Sequence, residues 1–139
     1  MPYRYLPNVA LADIAFEADS ASLRGLFEAS GRALSDIMVD RRTLEPKLTR
    51  QLRLEAEDSD RLLYNFLTEI IVLKDVNSLL FKRFHVEMLG DSSLVASVDG
   101  ERIDRKRHRL RNDVKAVTMH MFGIRREGKR WKATIVLDI

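Results

Sequence analysis

The chain has 139 residues, 45% hydrophobic and 32% charged, with 24 basic against 21 acidic side chains and a net charge of +3. That length suits one domain spanning residues 1–139, and the mild charge permits an acidic partner without demanding nucleic acid. The absence of cysteine excludes disulfides, thiolate nucleophiles and Cys-ligated zinc.

The opening stretch MPYRYLPNVALADIAF has no basic segment followed by a long apolar core, so it does not read as a secretory leader. No apolar run reaches the roughly 18 residues needed to span a bilayer. The expected setting is cytoplasmic, without membrane contact.

In chain order, ADIAFEA alternates with period two, placing Ile14 and Phe16 on one face and Asp13, Ala15 and Glu17 on the other. SASLRGLFEASGRALSDIMVD then carries Leu23, Leu26, Phe27, Leu34, Ile37 and Met38 at helical spacing, with Asp19 or Ser20 as N-cap. RQLRLEAE returns to alternation, with Leu52, Leu54 and Ala56 inward. A second helix, EDSDRLLYNFLTEIIVLKDVN, is capped by Asp58, Ser59 or Asp60. Its apolar face is wider, which predicts the deeper burial of the two. Strands are expected near 80–89, 94–98, 114–124 and 130–138, with turns at GDSS (90–93), Asp99-Gly100 and Glu127-Gly128. The predicted fold is a two-layer α+β domain, its two amphipathic helices packed on a mostly antiparallel sheet. Each helix is followed by a strand, the order of a doubled β-α-β unit.

Three groups of residues carry chemistry. Asp13 and Asp138 lie on the first and last of these strands, opposite the large apolar side chains, where neighbouring strands would bring them together. Like charges about 4 Å apart repel by about 4 kcal/mol at an effective dielectric near 20, and a hard cation bound by oxygens would remove that repulsion. The bland alternative is two unrelated surface aspartates. In VKAVTMHMF, Lys115 shares a side with Val117, Met119 and Met121, and His120 shares the other with Ala116, Thr118 and Phe122. Each is either functional or an ordinary snorkelling lysine and satisfied histidine. The run ERIDRKRHRLRND holds Arg102, Arg105, Lys106, Arg107, Arg109 and Arg111. It offers a surface to RNA phosphates or an acidic protein, or it is a solvated loop. No aromatic interleaves with it, so a base-stacking platform is missing. GxGxxG, HExxH and GxSxG are absent, and GLFEASGR fails as a phosphate loop because it lies inside a helix and lacks the lysine.

LADIAFEA, ALSDIMVD, LLYNFLTEIIVLKD, VKAVTMH and the final VLDI follow one another in the order that resembles archease, from about Tyr5 to Ile139. The resemblance implies a non-enzymatic co-activator of an RtcB-type RNA ligase in tRNA splicing. Such a protein promotes guanylylation and turnover of the ligase and broadens its nucleotide triphosphate use, with tRNA engaged through the ligase. It also implies a divalent cation, calcium foremost, held by Asp13, Asp138 and the main-chain or terminal oxygens of Ile139, and a functional role for Lys115. Where the family reads HTAD, this chain has NVALAD, so the loop ahead of Asp13 differs. Two rival readings stand beside this one. The first is an RNA-binding or chaperone-like modulator that uses Arg105, Lys106, Arg107 and Arg109; the second is a metal-dependent enzyme built on Asp13, Asp138 and His120.

Overall fold

Seven strands, two α-helices and one 3-10 turn (Arg41–Thr43) occupy residues 2–6 and 13–139, which the computed structural model describes. The strands are β1 (Tyr3–Leu6), β2 (Asp13–Ser20), β3 (Leu48–Glu55), β4 (Leu79–Met88), β5 (Ser93–Arg102), β6 (Ala116–Glu127) and β7 (Arg130–Asp138). The helices are α1 (Leu23–Met38) and α2 (Ser59–Asn77). Residues 7–12, most of the NVALAD segment, lie outside the described residues.

The strands form two sheets where one was expected, in the orders β1-β2-β7-β6 and β3-β5-β4. All pairings are antiparallel. Because β3 and β4 both run antiparallel to β5, they are parallel to each other, and α2 crosses between them. That makes one split β-α-β unit. The strands flanking α1 lie in different sheets, so the unit is not doubled. The α+β class and the two packed helices stand as read from the sequence.

Helix α1 begins at Ser22, whose hydroxyl accepts from the Gly25 N–H at 3.0 Å, satisfying a donor that the helix itself leaves unpaired. Helix α2 begins at Asp58, whose carboxylate accepts from the Arg61 N–H at 2.8 Å. It ends at Ser78, in the left-handed region at φ 56°. The expected order of burial is reversed. Eleven of the sixteen residues of α1 are buried, against seven of nineteen in α2. Both helices touch both sheets, and what differs is closeness: α1 lies tight against β4 of the small sheet and β2 of the large one, whereas α2 meets β6, β4, β3 and β5 more loosely. Small side chains allow this approach. A Cβ on Gly31 would lie 2.7 Å from the Phe84 ring of β4, so glycine lets helix and sheet meet. The apolar width of α2 is left partly uncovered, with Val72 and Val76 exposed.

One core joins both layers. Phe16, Phe27, Phe66 and Phe81 are wholly buried in it, together with Leu26, Leu34, Leu62, Leu63 and Ile135. Truncating any of these phenylalanines to alanine would cost about 3–5 kcal/mol.

The predicted Asp99-Gly100 turn is instead the interior of β5, which runs on to Arg102. Gly100 serves close approach: a Cβ there would sit 1.9 Å from the Leu80 carbonyl oxygen of β4. Opposite it the β4 register shifts between Phe81 and Arg83. The bulged Lys82 turns away to donate to the Arg41 and Leu44 carbonyls at 3.1 and 3.0 Å.

Gly100→Ala is therefore expected to destabilise the fold by about 3 kcal/mol or more in urea denaturation, because backbone must move to admit the methyl. Gly128→Ala serves as the comparison, since no atom lies within 4 Å of its added Cβ and only its positive φ of 62° is strained. Equal losses at the two positions would contradict the close-approach account.

Candidate functional site

The pairing of β2 with β7 sets Asp13 directly opposite Asp138. Directly opposed residues of antiparallel strands have Cβ atoms about 5 Å apart, so two carboxylates there repel unless something neutralises them. Farther along the same face of β2, Glu17 pairs with Arg125 at 2.7 Å and Asp19 with Arg130 at 2.6 Å. Among the described residues no arginine or lysine does this for Asp13 or Asp138. Both are half-buried. Two un-neutralised hard oxygen donors on one face fit a hard divalent cation better than a soft one.

Lys115 belongs to the same end of the molecule. It lies just before β6 rather than within a strand, and its side chain is exposed. Its N–H donates to the Asp138 carbonyl at 2.8 Å, which fixes its backbone against the end of β7. A second lysine, missed in the sequence, holds the segment that leads into it. Lys74 is 8% exposed, and its ammonium donates to the Val114 carbonyl at 2.7 Å and lies 2.9 Å from Asp75. It also bonds Asp113. Three oxygens around one buried ammonium satisfy all its donors, so Lys74 ties α2 to residues 113–114. The sequence signal was a lysine on the buried side of an apolar helix.

His120 does not join the carboxylates. Four residues of β6, 119–122, stand opposite Ile135 alone, since Thr118 pairs with Val136 and Gly123 with Thr134. Met121 in this bulge has φ 55°, and Met119, His120 and Met121 are all exposed. The period-two alternation expected over 114–122 therefore stops at Thr118. Among the described residues no three His, Asp or Glu side chains are grouped to hold a metal, so the Asp13, Asp138, His120 set of a metal-dependent enzyme is not assembled.

The basic run divides into two kinds of residue. Arg107 is structural. It bonds Glu101, which is 3% exposed and also accepts from the Glu45 N–H at 2.6 Å. The Arg107 guanidinium holds the Glu101 carboxyl down at about 2, against the opposing effect of burial. His108 is buried beside it. Its Nδ1 accepts from the Asp104 N–H at 2.9 Å, so the ring proton resides on Nε2, 3.1 Å from Glu101 Oε2 but poorly aligned. Arg111 bonds the Asp36 carbonyl at 2.8 Å and lies 3.9 Å from Asp40. By contrast Arg102, Arg105, Lys106 and Arg109 are exposed, and none forms an ion pair among the described residues.

The archease protein family matches residues 3–139. The chain is 37% identical to the archease of Pyrococcus abyssi over 132 residues, covering 92% of this chain and 93% of that one. It is 30% identical to the archease of Methanosarcina barkeri over 141 residues, covering 99% and 95%. In fold it is similar to a protein from Methanobacterium thermoautotrophicum solved in solution, with a TM-score of 0.81, 29% identity and 99% of each chain covered. A crystal structure from Thermotoga maritima, described as an archease and possible chaperone, shares the fold at a TM-score of 0.67 and 18% identity over 96% of each chain. This chain belongs to the archease family.

The depressed carboxyl of Glu101 makes stability pH-dependent. Its contribution is fully present above the ordinary value of 4.5 and is lost as pH falls toward about 2. Glu101→Gln is expected to lower stability at pH 7 by on the order of 2 kcal/mol, with the deficit shrinking across that acid range. Urea denaturation from pH 6 downward reads this. A deficit constant with pH would contradict it.

Proposed function

We propose that this protein is a non-enzymatic accessory factor of an RtcB-type RNA ligase in tRNA splicing, acting in the cytoplasm. It promotes guanylylation of the ligase, sustains its turnover and broadens the nucleotide triphosphates it accepts. What supports this reading is family membership over nearly the whole chain, combined with one observation: the opposed, un-neutralised Asp13 and Asp138, with Lys115 anchored beside them. No helix among the described residues is long and apolar enough to cross a membrane.

In this reading Asp13, Asp138 and the main-chain or terminal oxygens of Ile139 hold a divalent cation, foremost calcium. When bound, the cation supplies concentrated positive charge to the phosphate or metal site of the partner. The protein's own residues then have distinct tasks. The β2–β7 register keeps the two carboxylates on one face, and the Lys115 N–H bond to the Asp138 carbonyl holds the end of β7 in place. The Lys115 ammonium, exposed and without an ion-pair partner among the described residues, is available to an anionic group of the ligase or its nucleotide. Positive charge preorganised around a triphosphate favours the arrangement needed for nucleotidyl transfer.

Guanylylation of the ligase with this protein limiting is the deciding measurement. Wild-type protein is expected to accelerate it, and Asp13→Ala, Asp138→Ala and Lys115→Ala each to reduce that acceleration by about tenfold or more, as loss of a charge-stabilising group does. No acceleration by wild type sinks the reading; full activity of all three variants sinks the site.

Calcium titration calorimetry tests the cation separately. A flexible extension added after Ile139 is expected to weaken binding more than the same extension before Met1. Equal affinities would remove the terminal oxygens of Ile139 from the ligand set.

A further inference from the structure

Away from the carboxylate pair, the surface holds a dense group of cations that form no ion pairs among the described residues: Arg102, Arg105, Lys106 and Arg109. They are mounted on a folded support. The Arg107 and His108 N–H groups both donate to the Asp104 carbonyl, at 3.1 and 2.8 Å, closing a turn that presents Arg105 and Lys106 at its tip. Asp104 caps it from within by accepting from the Lys106 N–H at 3.0 Å. The Ile103 N–H bonds the Ser78 carbonyl at 2.7 Å, and the Arg109 N–H bonds the Thr43 hydroxyl at 3.2 Å, so both ends of the turn are tied to other elements. Beneath it lie buried Glu101 and His108.

Two adjoining grooves, of about 810 and 370 Å³, share Ser78, Ile103 and Arg105. Five basic side chains line the larger, namely Lys47, Arg102, Arg105, Lys106 and Arg107, against only Glu101 and Asp104. Glu101 is already taken by Arg107. The local excess of positive charge is therefore real, although the whole chain carries only +3.

We propose that this face binds the phosphodiester backbone of nucleic acid, with Arg102, Arg105, Lys106 and Arg109 as its phosphate contacts. Arginine forks match phosphate oxygens in pairs, and a folded turn has less freedom to lose on binding than a loose loop. The run from Glu101 to Arg111 contains no Phe, Tyr or Trp, and its one aromatic ring, the His108 imidazole, is buried, so bases are not stacked and sequence is not read. An acidic protein partner fits less well. Protein interfaces centre on an apolar patch, and among the described residues the large exposed hydrophobics are Tyr5, Val72, Val76, Leu89, Met119 and Met121, none of them in the turn. The site is independent of the ligase reading, because none of its residues belongs to the carboxylate end.

The test is fluorescence anisotropy with a labelled oligouridylate of about 20 nucleotides, from about 50 to 200 mM salt. Four contacts on a single strand predict a slope of log affinity against log salt near roughly −3. The triple variant R105Q/K106Q/R109Q should bind about tenfold or more weakly, with a slope near roughly −1, at an unchanged melting temperature. Asp13→Ala combined with Asp138→Ala should bind like wild type, which separates this site from the proposed ligase function. Four outcomes overturn the proposal: no saturable binding at the lowest salt, a slope near zero, undiminished binding by the triple variant, or equal competition by polyglutamate of matched charge. The last would assign the face to an acidic protein.

Discussion

The pairing of β2 with β7 is the constraint on which the rest of the molecule depends. It joins residues 13–20 to 131–138, almost the two ends of the chain, through eight cross-strand pairs. That pairing forms the centre of the larger sheet and gives α1 one of the two surfaces it packs on. Phe16 faces Ile135 across it, and both are wholly buried. A slip of one residue would turn these side chains to solvent and drive Asp13 and Asp138 into the core. The apolar residues thus lock the register, and the register keeps the two carboxylates together outside. Packing energy enforces a juxtaposition that electrostatics alone would oppose.

The same division of labour recurs at the other polar features. Buried charges here act as fasteners. Lys74 ties a helix to the segment before β6, and Glu101 gathers Arg107, His108 and the Glu45 N–H around the end of β5. Each is fully partnered, as a charge removed from water must be. Charges nearer the surface include two contrasting sets. On the outer face of the large sheet, Glu17, Asp19, Glu127, Arg125, Arg130 and Lys132 neutralise one another. Among the described residues Asp13, Asp138, Arg102, Arg105, Lys106 and Arg109 form no ion pairs, and each cluster leaves charge of one sign for something else to meet.

Much of this was legible in the residues. Alternation located β2, β3 and β7 and helical spacing located α1 and α2; of the three candidate caps Asp58 caps α2, whereas α1 is capped by Ser22 rather than Asp19 or Ser20. Asp13 and Asp138 could be singled out because each sat opposite large apolar neighbours in its own strand. The errors share a cause, since each turned on what lay across from the segment. Asp99-Gly100 has turn chemistry, but Leu80 of β4 lies against it and requires glycine inside a strand. Counting apolar residues ranked α2 above α1, yet both helices meet both sheets and burial follows how closely each is pressed against them. Arg107 resembled its neighbours in the run until a buried carboxylate was found beneath it.

By itself the sequence determined the local periodicities, the α+β class, the absence of cysteine chemistry and the resemblance to a family, because these depend on residues near one another or on their order. Only the tertiary structure decided that the strands divide into two sheets, that α1 packs against both, and that β6 bulges at Met119–Phe122. It also decided which members of a uniform basic run are consumed by buried partners and which remain exposed. Those outcomes depend on contacts between residues far apart in the chain, where one close approach or one buried charge outweighs local preference.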